Sequence, residues 1–160
     1  KATLPFGPEV MLQRVVRLLS EVVNRDAIVV VAAAGQQLPD LPRGIMIAVD
    51  GRPDRGPLEG LAAGLLAVTG KADAVYATSC DVPLLVPSFV KQMFGELGNH
   101  DIAVPRDGEH HHPLAAVYHT RVLPCVQRLL DENRLRPRFL FDEVRTREVP
   151  VEELRVSDPQ

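Results

Sequence analysis

The chain has 160 residues and a formal net charge of −3, with 46% hydrophobic and 24% charged residues. This composition excludes whole-chain disorder, and the lack of a basic excess argues against a protein that coats nucleic acid. No apolar run approaches the roughly 18 residues of a membrane span, and two cysteines cannot form a disulfide framework. We therefore expect one cytoplasmic domain over residues 1–160, with no nucleic-acid or membrane partner.

Apolar periodicity divides the chain into alternating elements. Helices are predicted over residues 8–24, 58–69, 87–97 and 121–132, and strands over residues 27–33, 45–49, 74–78, 101–105, 114–118 and 145–151. Strand and helix alternate at least three times before residue 100. This pattern predicts an α/β fold, a three-layer sandwich around a mostly parallel sheet with right-handed crossovers. The tail from Ser157 is expected to be loose.

In parallel sheets the ligand lies beyond the carboxyl ends of the strands, so the residues after each strand are the site candidates. Asp81 follows the strand at residues 74–78 and precedes Val82-Pro83, a short stiff loop. A carboxylate there suits a hard cation such as Mg²⁺, which takes one or two carboxylates together with waters and phosphate oxygens. A turn-opening or helix-capping aspartate is an equally good interpretation of this residue.

The segment 56–60 (GPLEG) leads into a predicted helix. Its backbone N–H groups and the positive end of the helix suit an anion or a polar nucleotide edge, although a tight loop with close helix–sheet packing explains the same glycines. No G-x-x-x-x-G-K-[ST] loop is present, which excludes P-loop nucleotide switches. For His110, His111 and His112 a solvated turn is favoured over a metal site, because no third soft ligand is placed by spacing.

The order of these motifs resembles the molybdenum cofactor guanylyltransferases, members of the nucleotidyltransferase superfamily with a Rossmann-like fold. The resemblance rests on residues 1–7 (KATLPFG), Asp50, residues 56–60, residues 80–83 (CDVP) and residues 112–114 (HPL). It extends from Lys1 to about Glu132. The family's glycine-rich loop, which comes before this lysine, and its Asn-x-Asn segment near the carboxyl end have no counterpart in residues 1–160.

The resemblance implies roles for individual residues. Lys1 and Asp81 would be catalytic, with Asp81 holding Mg²⁺ and Lys1 lying against the GTP phosphates. The implied nucleotide-binding residues are Lys1, Asp50, Gly56, Pro57, Leu58, Gly60 and Asp81. The Gly-Pro-Leu sequence, rather than the loop of the related cytidylyltransferases, points to guanine.

The implied reaction is transfer of GMP from GTP to molybdopterin, with release of pyrophosphate. Transient contact with molybdoenzymes or their chaperones is implied by family analogy alone, and a monomer is the default expectation. Three alternatives stay open: a sister nucleotidyltransferase that uses CTP or a sugar 1-phosphate, an aspartyl-phosphate phosphatase, and a non-catalytic nucleotide-binding domain. The phosphatase normally has a second acidic residue two positions after its aspartate, where this chain has Pro83.

Overall fold

The computed structural model describes residues 1–52 and 55–154. Residues 53–54, between the strand predicted over 45–49 and the helix predicted over 58–69, and the tail from Ser157 lie outside these residues. The strands are β1 (Pro5–Phe6), β2 (Glu9–Val10), β3 (Val29–Ala33), β4 (Met46–Asp50), β5 (Ala74–Thr78), β6 (Ile102–Asp107), β7 (His110–His111), β8 (Ala115–His119) and β9 (Thr146–Pro150). The helices are α1 (Met11–Leu19), α2 (Pro57–Val68), α3 (Pro87–Leu97), α4 (Leu123–Asp131), α5 (Arg138–Phe141) and α6 (Val151–Leu154).

The first predicted helix begins later than expected because a small hairpin precedes it. Strands β1 and β2 pair antiparallel, with Phe6 opposite Glu9, so Gly7 and Pro8 form a two-residue turn. Gly7 has φ +64°, which the turn requires and which a residue with a side chain rarely adopts. Pro8 was predicted to open the helix, but it lies in this turn, and α1 starts at Met11.

Strands β3 and β4 form a parallel pair in which Val31 lies opposite Ala48. Helix α2 packs closely on this pair because it carries glycines on the facing side. A Cβ added at Gly64 would lie 3.5 Å from Val31 Cγ2, and one at Gly60 would lie 4.0 Å from Val31 Cγ1. Both distances are ordinary van der Waals contacts, so a methyl group fits at either position.

The larger sheet of the described residues has the order β5-β8-β6, with β7 and β9 also paired to β6. The prediction of a mostly parallel sheet is wrong for it, since β8 runs antiparallel to both β5 and β6. Only seven residues separate Asp107 from Ala115. A parallel neighbour needs a crossover of about a dozen residues or more, so this connection can only return the chain antiparallel. The β6–β9 and β3–β4 pairs are parallel.

Helices cover both faces of the larger sheet, as the predicted three layers require. On one face the core contains Ile102, Tyr118 and residues of α2, α4 and α5. On the other face Ala103 and Val117 pack with residues of α3 and α6. Within residues 1–52 and 55–154, no helix is both long and apolar enough to cross a membrane.

Candidate active site

Lys1 and Asp81, 80 residues apart in sequence, meet in the structure. The Lys1 ammonium Nζ donates a hydrogen bond to Asp81 Oδ2 at 2.8 Å. The other oxygen, Oδ1, accepts a 2.5 Å hydrogen bond from Ser79 Oγ. Ser79 follows β5 directly, so the strand end, the serine and the carboxylate form one short unit. Ser79 was not among the predicted site residues, although a hydroxyl two residues before an aspartate at a strand end is the signal that indicates such a contact.

These contacts set the charge of both groups. Hydrogen bonds from Lys1 and then from Ser79 lower the pKa of the Asp81 carboxyl to about 2. The hydrogen bond to Asp81 raises the pKa of the Lys1 ammonium above its ordinary value. Both groups are therefore charged at neutral pH, and both reach solvent, with 33% of the Asp81 side chain and 74% of the Lys1 side chain exposed. A solvent-accessible carboxylate can bind a cation, and an ammonium beside it can bind a phosphate at the adjacent position.

The backbone around Lys1 holds it in place. The Leu4 amide donates to the Lys1 carbonyl at 3.0 Å, and the Leu12 amide at the start of α1 donates to the Ala2 carbonyl at 3.2 Å. Ala2 is buried in a small apolar cluster of the described residues that also contains Val30 of β3 and the partly buried Cys80. Lys1 therefore comes from a segment packed on the same core as the Asp81 loop.

A second group of predicted residues lies where β4 ends and α2 begins. Asp50 is the last residue of β4, and its Oδ1 accepts a 3.2 Å hydrogen bond from the Arg52 amide. Gly56 is the residue before α2 and has φ +72° and ψ −170°, and Pro57 occupies the first helical turn. Leu58 is fully buried and anchors this turn in the core. Gly56 has no side chain that could cap the helix, so the N-cap residue does not occupy the backbone N–H groups of the first turn that follow Pro57.

Glu59 anchors this second group. Its side chain is only 9% exposed, and its carboxylate pairs with Arg52 at 3.3 Å and with Arg55 at 3.4 Å. Arg55 Nη2 also donates to the carbonyl of Leu130 near the end of α4. Glu59 was not among the predicted site residues, although it belongs to the segment 56–60. The Arg-to-Glu spacing of four residues at the start of a helix was the available signal.

The structure places the predicted residues in two groups. Lys1 and Asp81 form one group, and Cys80 beside Asp81 packs in the same apolar cluster as Val30 of β3. The other group lies at the end of β4 and the start of α2, and a Cβ built on Gly60 would lie 4.0 Å from Val31 Cγ1 of β3. The binding and catalytic roles of Lys1, Asp50, Gly56, Pro57, Leu58, Gly60 and Asp81 stay predictions.

Histidines do not join either group. Among the described residues no group of three His, Cys, Asp or Glu side chains could hold a metal ion by itself. His111 Nε2 lies 2.7 Å from Glu148 Oε1, and its ring packs edge-on against Phe141. Asp81 alone fits a hard cation only where phosphate oxygens and waters supply the remaining ligands, which is the usual manner of Mg²⁺ binding.

Gly56 offers a direct test of the second group. Its φ/ψ lies in a region that is essentially restricted to glycine, so Gly56→Ala should strain the loop by about 1–3 kcal/mol and weaken nucleotide binding. We expect an increase of about tenfold in the nucleotide dissociation constant, measured by calorimetry. The control is Gly95→Ala within α3, where a Cβ meets nothing within 4 Å. Gly95→Ala should leave binding unchanged, and equal affinity in both variants would contradict the prediction.

The sequence of this chain is similar to a known protein family. The family model described as the MobA-like NTP transferase domain matches residues 1–147. A probable molybdenum cofactor guanylyltransferase of Pelotomaculum thermopropionicum is 31% identical over 97% of this chain and 73% of its own length. One from Methanosarcina mazei is 32% identical over 100% of this chain and 74% of its own length.

Solved structures agree at the level of the fold. Molybdopterin-guanine dinucleotide biosynthesis protein A from Archaeoglobus fulgidus superposes with a TM-score of 0.73 at 16% identity, over 99% of this chain and 79% of that one. A protein from Aquifex aeolicus gives a TM-score of 0.72 at 21% identity, over 92% of this chain and 76% of that one. On the match of residues 1–147, the chain belongs to the MobA-like NTP transferase family.

Proposed function

We propose that this protein transfers GMP from GTP to the terminal phosphate of molybdopterin, forming the guanine dinucleotide cofactor and releasing pyrophosphate. The family match and the names of the relatives support the reaction. The observation that carries the assignment of the site is the 2.8 Å contact between Lys1 and Asp81, which brings the two predicted catalytic side chains to one place.

The proposed chemistry needs no strong protein base. The attacking group is a phosphate that is already anionic near neutral pH, so catalysis depends on positioning and on neutralising charge at the α-phosphorus. Lys1 remains protonated, because its pKa is raised, and its exposed ammonium can stabilise negative charge on the leaving pyrophosphate. The family relationship implies a divalent cation, for which Mg²⁺ is the proposed species.

Asp81 would hold that cation, which when bound supplies charge neutralisation at phosphate oxygens. The lowered pKa of Asp81 keeps the carboxylate ionised and ready for a cation at neutral pH. Ser79 holds Oδ1 through its 2.5 Å hydrogen bond and so restricts rotation of the carboxylate. The side chains of this chain therefore supply one negative and one positive charge at fixed places.

The start of α2 would receive the nucleotide base. Glu59 lies in the first turn, where its negative charge would oppose any acceptor atom of a ligand, but Arg52 and Arg55 neutralise it. The backbone N–H groups in the first turn of α2 can then donate to an acceptor such as a guanine carbonyl, while the Asp50 carboxylate can accept from guanine N–H groups. This combination of donor and acceptor supports the choice of guanine.

Competition among the four nucleoside triphosphates tests the proposal. Purified protein, molybdopterin and Mg²⁺ are mixed with each triphosphate, and pyrophosphate release is measured. We expect release with GTP only, and only when molybdopterin is present. Release with CTP would assign a cytidylyl transfer instead. Nucleotide binding without any pyrophosphate release would assign a non-catalytic binding domain.

A further inference from the structure

Arg14 of α1 makes three contacts that have no part in the chemistry proposed above. Its Nε donates to the Pro83 carbonyl at 2.6 Å, and its Nη1 lies 3.3 Å from Glu9 Oε1. Its guanidinium carbon lies 5.0 Å from the centre of the Phe6 ring. The side chain is 29% exposed, so most of it is packed between these partners.

The three contacts join two parts of the candidate active site. Phe6 and Glu9 belong to the hairpin β1–β2, which begins at Pro5, four residues after Lys1. Pro83 lies two residues after Asp81, in the loop that carries this carboxylate. Arg14 therefore connects the segment that supplies the ammonium to the loop that supplies the carboxylate.

We propose that Arg14 is a positioning residue that fixes the Asp81 loop relative to Lys1 through the Pro83 carbonyl. The proposal rests on the proposed function for its catalytic consequence, but its structural claim is independent of the reaction. Arginine suits this task because its planar guanidinium can donate to a carbonyl, pair with a carboxylate and pack on an aromatic ring at the same time. Lysine, with a single compact ammonium, cannot hold all three partners.

Helix α1 supplies a matched control. Arg17 Nη2 also pairs with Glu9, at 2.9 Å from Oε1, and Arg17 Nη1 lies 3.6 Å from Oε1 of Glu21, two residues after α1 ends. Arg17 is 51% exposed. Replacing Arg17 with alanine removes a cation from the same cluster while leaving the bond from Arg14 to Pro83 in place.

The first measurement is amide hydrogen exchange of residues 79–85 in the unliganded protein. Arg14→Ala should raise exchange in this segment about tenfold, since the Pro83 carbonyl loses its donor, while Arg17→Ala should match the wild type. Arg14→Lys should fall between the two. Unchanged exchange in Arg14→Ala, or an equal rise in Arg17→Ala, overturns the proposal whether or not the protein transfers GMP.

The second measurement is steady-state GMP transfer. A misplacement of about 1 Å at a catalytic group lowers the rate on the order of 100-fold, so Arg14→Ala should lower kcat by about 10- to 100-fold. The KM for GTP should change by less than threefold. The Mg²⁺ concentration that gives the half-maximal rate should rise. Arg17→Ala should keep wild-type values, and Arg14→Lys should recover part of kcat. An inactive wild type contradicts the proposed function alone. An active wild type with equal kcat in Arg14→Ala contradicts the role of Arg14.

Discussion

Replacing Asp81 with alanine should lower GMP transfer by about a thousandfold while the protein stays folded. The expected loss is large because the carboxylate is the proposed ligand of the divalent cation, and removing one group that stabilises transition-state charge commonly costs a factor of 10²–10³. The effect on stability should be small. Asp81 is one-third exposed and its ion-pair partner Lys1 is 74% exposed, and ion pairs between solvent-exposed groups contribute little to stability.

The matched control for this variant is Asp73→Ala. Asp73 directly precedes β5, whereas Asp81 follows it, so the two aspartates lie at opposite ends of one strand. Asp73 uses its backbone carbonyl to accept from the Thr120 amide, and alanine keeps that carbonyl. Asp73→Ala should therefore transfer GMP at the wild-type rate. Wild-type transfer by Asp81→Ala, measured as pyrophosphate release, would remove Asp81 from the proposed site.

The second large effect should be on stability. Glu59→Ala should lower the free energy of unfolding by about 3 kcal/mol, because breaking a buried ion pair leaves the other charge without its partner. Arg55 would be the residue left in this state, since its Nε is buried against Glu59 and its side chain is 22% exposed. The Arg52 side chain is 47% exposed, so its guanidinium can be hydrated when Glu59 is removed. Urea unfolding followed by circular dichroism measures the difference.

Glu132→Ala is the control for Glu59→Ala. Glu132 is 42% exposed and pairs with Arg128 at 3.1 Å and with Arg134 at 3.6 Å, so it forms ion pairs without burial. Its replacement should change stability by less than about 0.5–1 kcal/mol. If both glutamate variants unfold at the same urea concentration as the wild type, the pairing of Glu59 with Arg52 and Arg55 does not hold the start of α2.

Local patterns predicted individual elements better than their pairing. Strand β5 has the predicted bounds, and α2 differs from its prediction by one residue at each end. The parallel direction assigned to the larger sheet was wrong, because alternation before residue 100 says nothing about β8, which returns through a short connection and inserts between β5 and β6. The length of that connection was visible in the sequence and should have outweighed the alternation.

In the candidate site, too, individual residues were easier to predict than the contacts between distant segments. The resemblance placed Lys1 and Asp81 in one site, and the structure brings them into contact. No local pattern reveals that Arg14 reaches the Pro83 carbonyl, since these two residues are 69 positions apart in the sequence. Such contacts depend on how elements pack, and packing is not encoded in the periodicity of any single segment.

The close approach of α2 to β3 limits which substitutions this helix tolerates. A methyl group at Gly64 would meet Val31 Cγ2 at 3.5 Å, an ordinary van der Waals contact, so alanine fits there. Any longer side chain would push the helix away from the strand. Because a helix is displaced as a rigid body, the displacement would also shift Gly56, which lies about 12 Å away along the helix axis at 1.5 Å per residue. Mutational scans should therefore find a remote, size-dependent loss of activity at Gly64.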